Sequence, residues 1–71
     1  MRILIVGASR GLGRALYDGL RADGHEVWGV ARSVPSDAAP HEHWITADFA
    51  EPQRAADAVA ARTPEPIDAI L

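Results

Sequence analysis

The sequence contains no cysteine and no lysine. Without cysteine there is neither a disulfide framework nor a thiolate metal site to support a small core. Without lysine there is no P-loop, whose grip on phosphate needs that residue after its glycines. Long apolar runs are also missing. None approaches the roughly 18 residues that a membrane helix requires, and the N-terminus has no signal-peptide pattern, so a cytoplasmic protein with no membrane partner is expected. An excess of positive charge is absent too: the formal net charge is −3. It is spread along the chain and leaves no basic footprint for nucleic acid. His41 and His43 flank Glu42 but have no third ligand nearby in the sequence, so no metal site is expected.

What the chain does have is a globular composition, 48% apolar in 71 residues. That length allows one domain at most, and a chain near 60 residues buries only about 60% of the surface its unfolded form exposes. The clearest stretch comes first. Ile3 to Val6 form a short apolar run rich in β-branched residues, which suits a strand buried on both faces of a parallel sheet. Gly7, Gly11 and Gly13 follow, and an amphipathic helix is predicted from about Gly11 to Asp23, stopped by Gly24. Leu12, Ala15, Leu16 and Leu20 are expected to be its inward face. Gly19 falls mid-helix at a propensity cost of about 1 kcal/mol, which close packing would explain. Strand, glycine turn and helix together make an anion cradle. Gly7 permits the tight turn, Gly11 a close backbone approach and Gly13 close helix–strand packing, with the helix N-terminus directed at a phosphate.

Further along, Glu26 to Ala31 read as a second strand ending at Arg32-Ser33, and Ser33 to His43 as a loop, because two prolines and small residues disfavour a helix there. His43 to Ala47 form a third strand closed by Asp48-Phe49. Pro52 suits the first turn of an alanine-rich helix to Arg62, and Ile67 to Leu71 read as a fourth strand.

The segment Gly7-Ala8-Ser9-Arg10-Gly11-Leu12-Gly13 resembles the Gly-x-x-x-Gly-x-Gly cofactor loop of the short-chain dehydrogenases and reductases, although Val6 stands where that family usually has Thr. The resemblance extends over the whole chain but only over the first part of the family's domain. It implies residues 1–71 as the N-terminal part of one NAD(P)-binding Rossmann domain. The expected fold class is α/β, a doubly wound parallel sheet with partial strand order 3-2-1-4. By the same resemblance, Gly7, Ser9, Arg10, Gly11, Leu12 and Gly13 would hold pyrophosphate and ribose, and Asp48 and Phe49 the adenine. Ala31, Arg32 and Ser33 would face the ribose 2′ position. NAD-preferring proteins need a carboxylate at that strand end. Here Ala31 is followed by Arg32, and Arg10 lies in the loop, so two guanidiniums would meet a 2′-phosphate and NADP(H) is expected over NAD(H).

The family's activity is hydride transfer between the cofactor and a small-molecule carbonyl or alcohol. Its proton chemistry uses a Tyr-x-x-x-Lys pair, and a chain without lysine has none. Arg21 follows Tyr17 at that spacing, so no catalytic residue is assigned and cofactor binding is the expected role. A complete small non-catalytic nucleotide-binding or interaction module is the alternative. A sugar-nucleotide epimerase relative ranks lower, because its Gly-x-x-Gly-x-x-Gly loop wants glycine where Arg10 stands. The fourth strand would have no partner on its outer side. The chain by itself is expected to form a homo-oligomer through that edge, to aggregate or to stay largely unfolded.

Overall fold

A computed structural model describes residues 1–71. Four strands and two helices follow in the order β1 (Arg2–Val6), α1 (Gly11–Ala22), β2 (Glu26–Ala31), β3 (His43–Thr46), α2 (Pro52–Arg62) and β4 (Ala69–Ile70). The strands make one parallel sheet in the order β3-β2-β1-β4, the partial Rossmann-like arrangement expected of the sequence. Right-handed crossovers require the helices to lie on opposite faces, because the chain turns back across the sheet after β3. No helix is long and apolar enough to cross a membrane.

β1 is apolar on both sides because it feeds both cores. Ile3 and Ile5 point to the α1 face and pack with Ala8, Tyr17 and Val27. Leu4 points to the other face and packs with Val30, Ile45, Ala47 and Ala55 beneath α2. At its start, Arg2 reaches both neighbouring strands. Its Nε donates to Glu26 Oε2 at 2.8 Å, its backbone N–H to Asp68 Oδ2 at 2.7 Å, and its guanidinium to the Glu65 carbonyl at 2.8 Å.

α1 presents a different face from the one its leucines suggest. Leu12 is 78% exposed and Leu16 38%, Ala15 is also exposed, and Tyr17 is fully buried. The reason lies at Gly13: a Cβ there would stand 2.2 Å from the Gly7 carbonyl oxygen. This contact sets the rotation of the helix and brings Tyr17 and Leu20, four and seven residues on, over the sheet. Gly19 is not packed at all, since a Cβ there would meet nothing within 4 Å. The helix ends at Ala22, one residue before the expected Asp23.

Tyr17 stacks on Trp44 with ring centroids 4.4 Å apart and donates its hydroxyl to the His43 carbonyl at 3.3 Å. Burial holds its phenol above the ordinary pKa. Gly29 makes room for this pair, because a Cβ there would lie 2.6 Å from the Trp44 ring. On the opposite face His43 stacks on Trp28 at 4.1 Å.

The β2–β3 connection contains no helix, as its prolines foretell. It is tied to α1 by two arginines one heptad apart. Arg14 pairs with Asp37 at 3.2 Å and Arg21 with Glu42 at 3.3 Å, and Trp44 Nε1 donates to Glu42 at 3.0 Å. β3 ends at Thr46, before the expected Ala47, although the Ala47 N–H still bonds to the Ala31 carbonyl. β4 is shorter than the expected Ile67 to Leu71. Asp68 and Leu71 nevertheless extend its hydrogen bonding to Arg2, Leu4 and Val6. Between α2 and β4 lies an apolar groove of about 970 Å³, lined in part by Leu4, Val6, Phe49, Val59 and Ile70.

Candidate functional site

The second concavity of interest lies at the C-terminal ends of the strands, where ligands of open α/β sheets bind. It measures about 430 Å³ and is lined by Gly7, Ser9, Arg10, Val30, Ala31, Arg32, Asp48, Phe49 and Ala50. Three separate chain segments meet there: the glycine loop, the end of β2 and the end of β3. Backbone bonds fix their relation. The Gly7 and Ala8 N–H groups both donate to the Val30 carbonyl, at 2.9 and 3.2 Å, so the glycine loop is fastened to the strand end that carries Ala31 and Arg32.

The loop itself has the conformation its glycines permit. Gly7 has φ +75° and Gly11 φ +62°, values in the left-handed region that side chains disfavour. α1 starts at Gly11 with no side-chain cap and no acid in its first turn. Its first N–H groups are therefore left for an anion. Leu12 and Gly13 belong to that turn and do not line the cavity, nor does Gly11. Ser33 is exposed just beyond Arg32. Asp48 lines the cavity while its Oδ1 accepts the Ala50 N–H at 2.9 Å, closing the turn before α2 and leaving Oδ2 free of protein partners. Phe49 is half exposed beside it.

The charges at the cavity are unbalanced. Arg2, Arg14, Arg21 and Arg54 each pair with an acid; Arg10, Arg32 and Arg62 do not, and of these three Arg10 and Arg32 line the cavity. Two unpaired guanidiniums on one cavity, with positive-φ glycines and an uncapped helix start, fit a phosphorylated ligand. Val30 and Ala50 were not singled out by the sequence reading. The signal for Val30 is its place directly before Ala31 at the strand end, where its carbonyl must accept from the facing loop.

The NAD dependent epimerase/dehydratase family matches residues 3–70. The chain belongs to this family. No curated protein matches it. Epimerases and dehydratases of this kind, like the short-chain dehydrogenases that the loop spacing resembles, are Rossmann-type NAD(P)-binding proteins. Arg10 therefore does not exclude an epimerase relative, contrary to the expectation from the glycine spacing, and the backbone shows why. Arg10 has φ −160° and ψ 170°, extended geometry that any residue adopts, so no glycine is required there.

Proposed function

We propose that these residues form the NADP(H)-binding portion of a cytoplasmic oxidoreductase, the N-terminal part of a single NAD(P)-binding domain. The bound nicotinamide would supply hydride transfer to or from a small-molecule carbonyl or alcohol. Gly7, Ser9, Arg10, Gly11, Leu12 and Gly13 hold pyrophosphate and ribose in this reading. Ala31, Arg32 and Ser33 receive the 2′-phosphate, and Asp48 and Phe49 the adenine. The observation that carries it is the pair of arginines without acid partners, Arg10 and Arg32, on the cavity formed by the glycine loop. A 2′-hydroxyl gives those cations nothing to neutralise, whereas a 2′-phosphate gives each a charge-assisted hydrogen bond, worth about 1.5–3 kcal/mol apiece.

Calorimetric titration of the chain with NADPH and NADH tests the reading. NADPH binds more tightly by roughly tenfold or more, and Arg32→Asp narrows or reverses the preference because it sets an anion beside the 2′-phosphate. Equal affinities in the unmutated chain would refute it.

A further inference from the structure

The loop that leaves the site after Arg32 has little holding it in place by itself. Its only internal backbone bonds are those of two tight turns, Ala38 N–H to the Pro35 carbonyl and Glu42 N–H to the Ala39 carbonyl. The far end is anchored through Glu42, Arg21 and Trp44. The near end leaves β2 at Ala31, whose carbonyl accepts the Ala47 N–H. Beyond that strand end the side-chain tie of Asp37 to Arg14 is what holds the stretch after Arg32 and Ser33 to α1.

Arg14 occupies a particular place. It lies one turn into α1 from Arg10, and its own N–H bonds to the Arg10 carbonyl. The guanidinium is oriented on three sides. Its Nε faces Asp18 at 3.2 Å, its two terminal nitrogens face Asp37 at 3.2 and 3.5 Å, and its carbon lies 5.6 Å from the centre of the Trp44 ring. Only a fifth of the side chain is exposed. Arg14 does not line the cavity. It joins the helix start bearing Arg10 to the loop bearing Arg32.

We propose that the Arg14–Asp37 ion pair is a positioning device for the 2′-phosphate site, holding Arg32 and Ser33 at the distance from Arg10 at which both guanidiniums engage one phosphate. This deepens the NADP(H) reading and rests on it. Arg14 and Asp37 are positioning residues, since neither touches the ligand.

The sign of one substitution separates positioning from plain electrostatics. Asp37 is an anion near an anionic ligand. If charge alone mattered, Asp37→Ala would tighten NADPH binding, because it removes a repulsion. If Asp37 positions Arg32, the same change weakens NADPH binding and leaves NADH untouched.

The experiment is calorimetric titration of NADPH and NADH into the full chain, its Asp37→Ala, Asp37→Glu and Arg14→Gln variants, and the Arg14→Gln/Asp37→Ala double variant. Far-ultraviolet circular dichroism accompanies each sample. Asp37→Ala should lower the NADPH-over-NADH ratio by a factor on the order of three, the scale of a solvent-exposed ion pair, with NADH affinity unchanged. Asp37→Glu should restore most of the ratio. In the Arg14→Gln background Asp37→Ala should have no further effect. An unchanged ratio, a ratio raised by Asp37→Ala, or an equal loss of both cofactors overturns the proposal while the NADP(H) reading stands. Should Asp37→Ala unfold, the Asp37→Glu and Arg14→Gln ratios decide alone, and a wild-type ratio in Arg14→Gln overturns it. No preference in the unmutated chain defeats the parent reading, and the positioning role falls with it.

Discussion

Gly13 and Gly19 are two glycines of the same helix whose replacement by alanine should move stability in opposite directions. A Cβ at Gly13 would lie 2.2 Å from the Gly7 carbonyl oxygen, 3.0 Å from its carbon and 3.2 Å from the Ala8 Cα. All three atoms are backbone, so no side chain can rotate away. α1 must withdraw from the glycine loop by about 1 Å or more to reach an ordinary contact, and overpacking of that kind costs about 1–3 kcal/mol. A Cβ at Gly19 meets nothing, so Gly19→Ala keeps only the gain in helix propensity, about 1 kcal/mol. At Gly13, in the first turn of α1, that gain is at most as large, so the difference between the variants reports mainly the steric cost. Thermal unfolding followed by circular dichroism, at several concentrations, gives the comparison. For a chain of this size 1 kcal/mol shifts Tm by about 4–8 °C. Gly19→Ala should raise Tm by several degrees, and Gly13→Ala should fall well below it. Equal shifts would refute the assignment of Gly13 as the contact that sets the helix.

Two other outcomes are open to measurement. Hydrogen bonding from Trp44 and the charge of Arg21 hold the Glu42 carboxyl below its ordinary pKa despite burial. Its stabilising effect is therefore complete above the unfolded carboxylate pKa and is lost as pH falls through the lower folded value. Glu42→Gln should lower the urea midpoint at neutral pH and flatten its decline between about pH 5 and pH 3; an unchanged pH profile would contradict this. The β4 edge, with Ile70 and Leu71 more than half exposed, should recruit a second copy of the chain. Light scattering should then give a mass above 7.6 kDa that rises with concentration, whereas a cooperatively folding monomer would exclude it.

Much of the fold was legible because local chemistry and tertiary need agree. β-branched runs became strands, Pro52 opened α2, and the prolines between β2 and β3 kept a helix out. The face of α1 was misread for a physical reason. Leucine count favours Leu12 and Leu16, but a single backbone contact at Gly13 outweighs both, and such a contact is invisible until the loop and helix meet. At the site, the cavity joins Gly7, Ser9, Arg10, Ala31, Arg32, Asp48 and Phe49, whereas Gly11, Leu12, Gly13 and Ser33 do not line it. The Arg14–Asp37 and Arg21–Glu42 pairs were not legible, because irregular chain gives no periodicity from which a partner can be inferred. Arg10 misled the ranking of the epimerase reading because the pattern marks residue types, whereas the backbone at that position tolerates any of them.

The bonds of Arg2 bear on the opposite end of the molecule. Ile3, Leu4 and Ile5 are nearly interchangeable in bulk and apolar on both faces, so hydrophobic burial discriminates poorly against a slip of β1 by one residue. The Arg2 side chain adds to the discrimination, since its guanidinium meets the Glu26 carboxylate on one side and the Glu65 carbonyl on the other in a single alignment. A slip would carry Gly7 about 3.3 Å along the strand axis, far enough to part its N–H and that of Ala8 from the Val30 carbonyl. The height at which the glycine loop emerges is thus indexed from the far rim of the sheet.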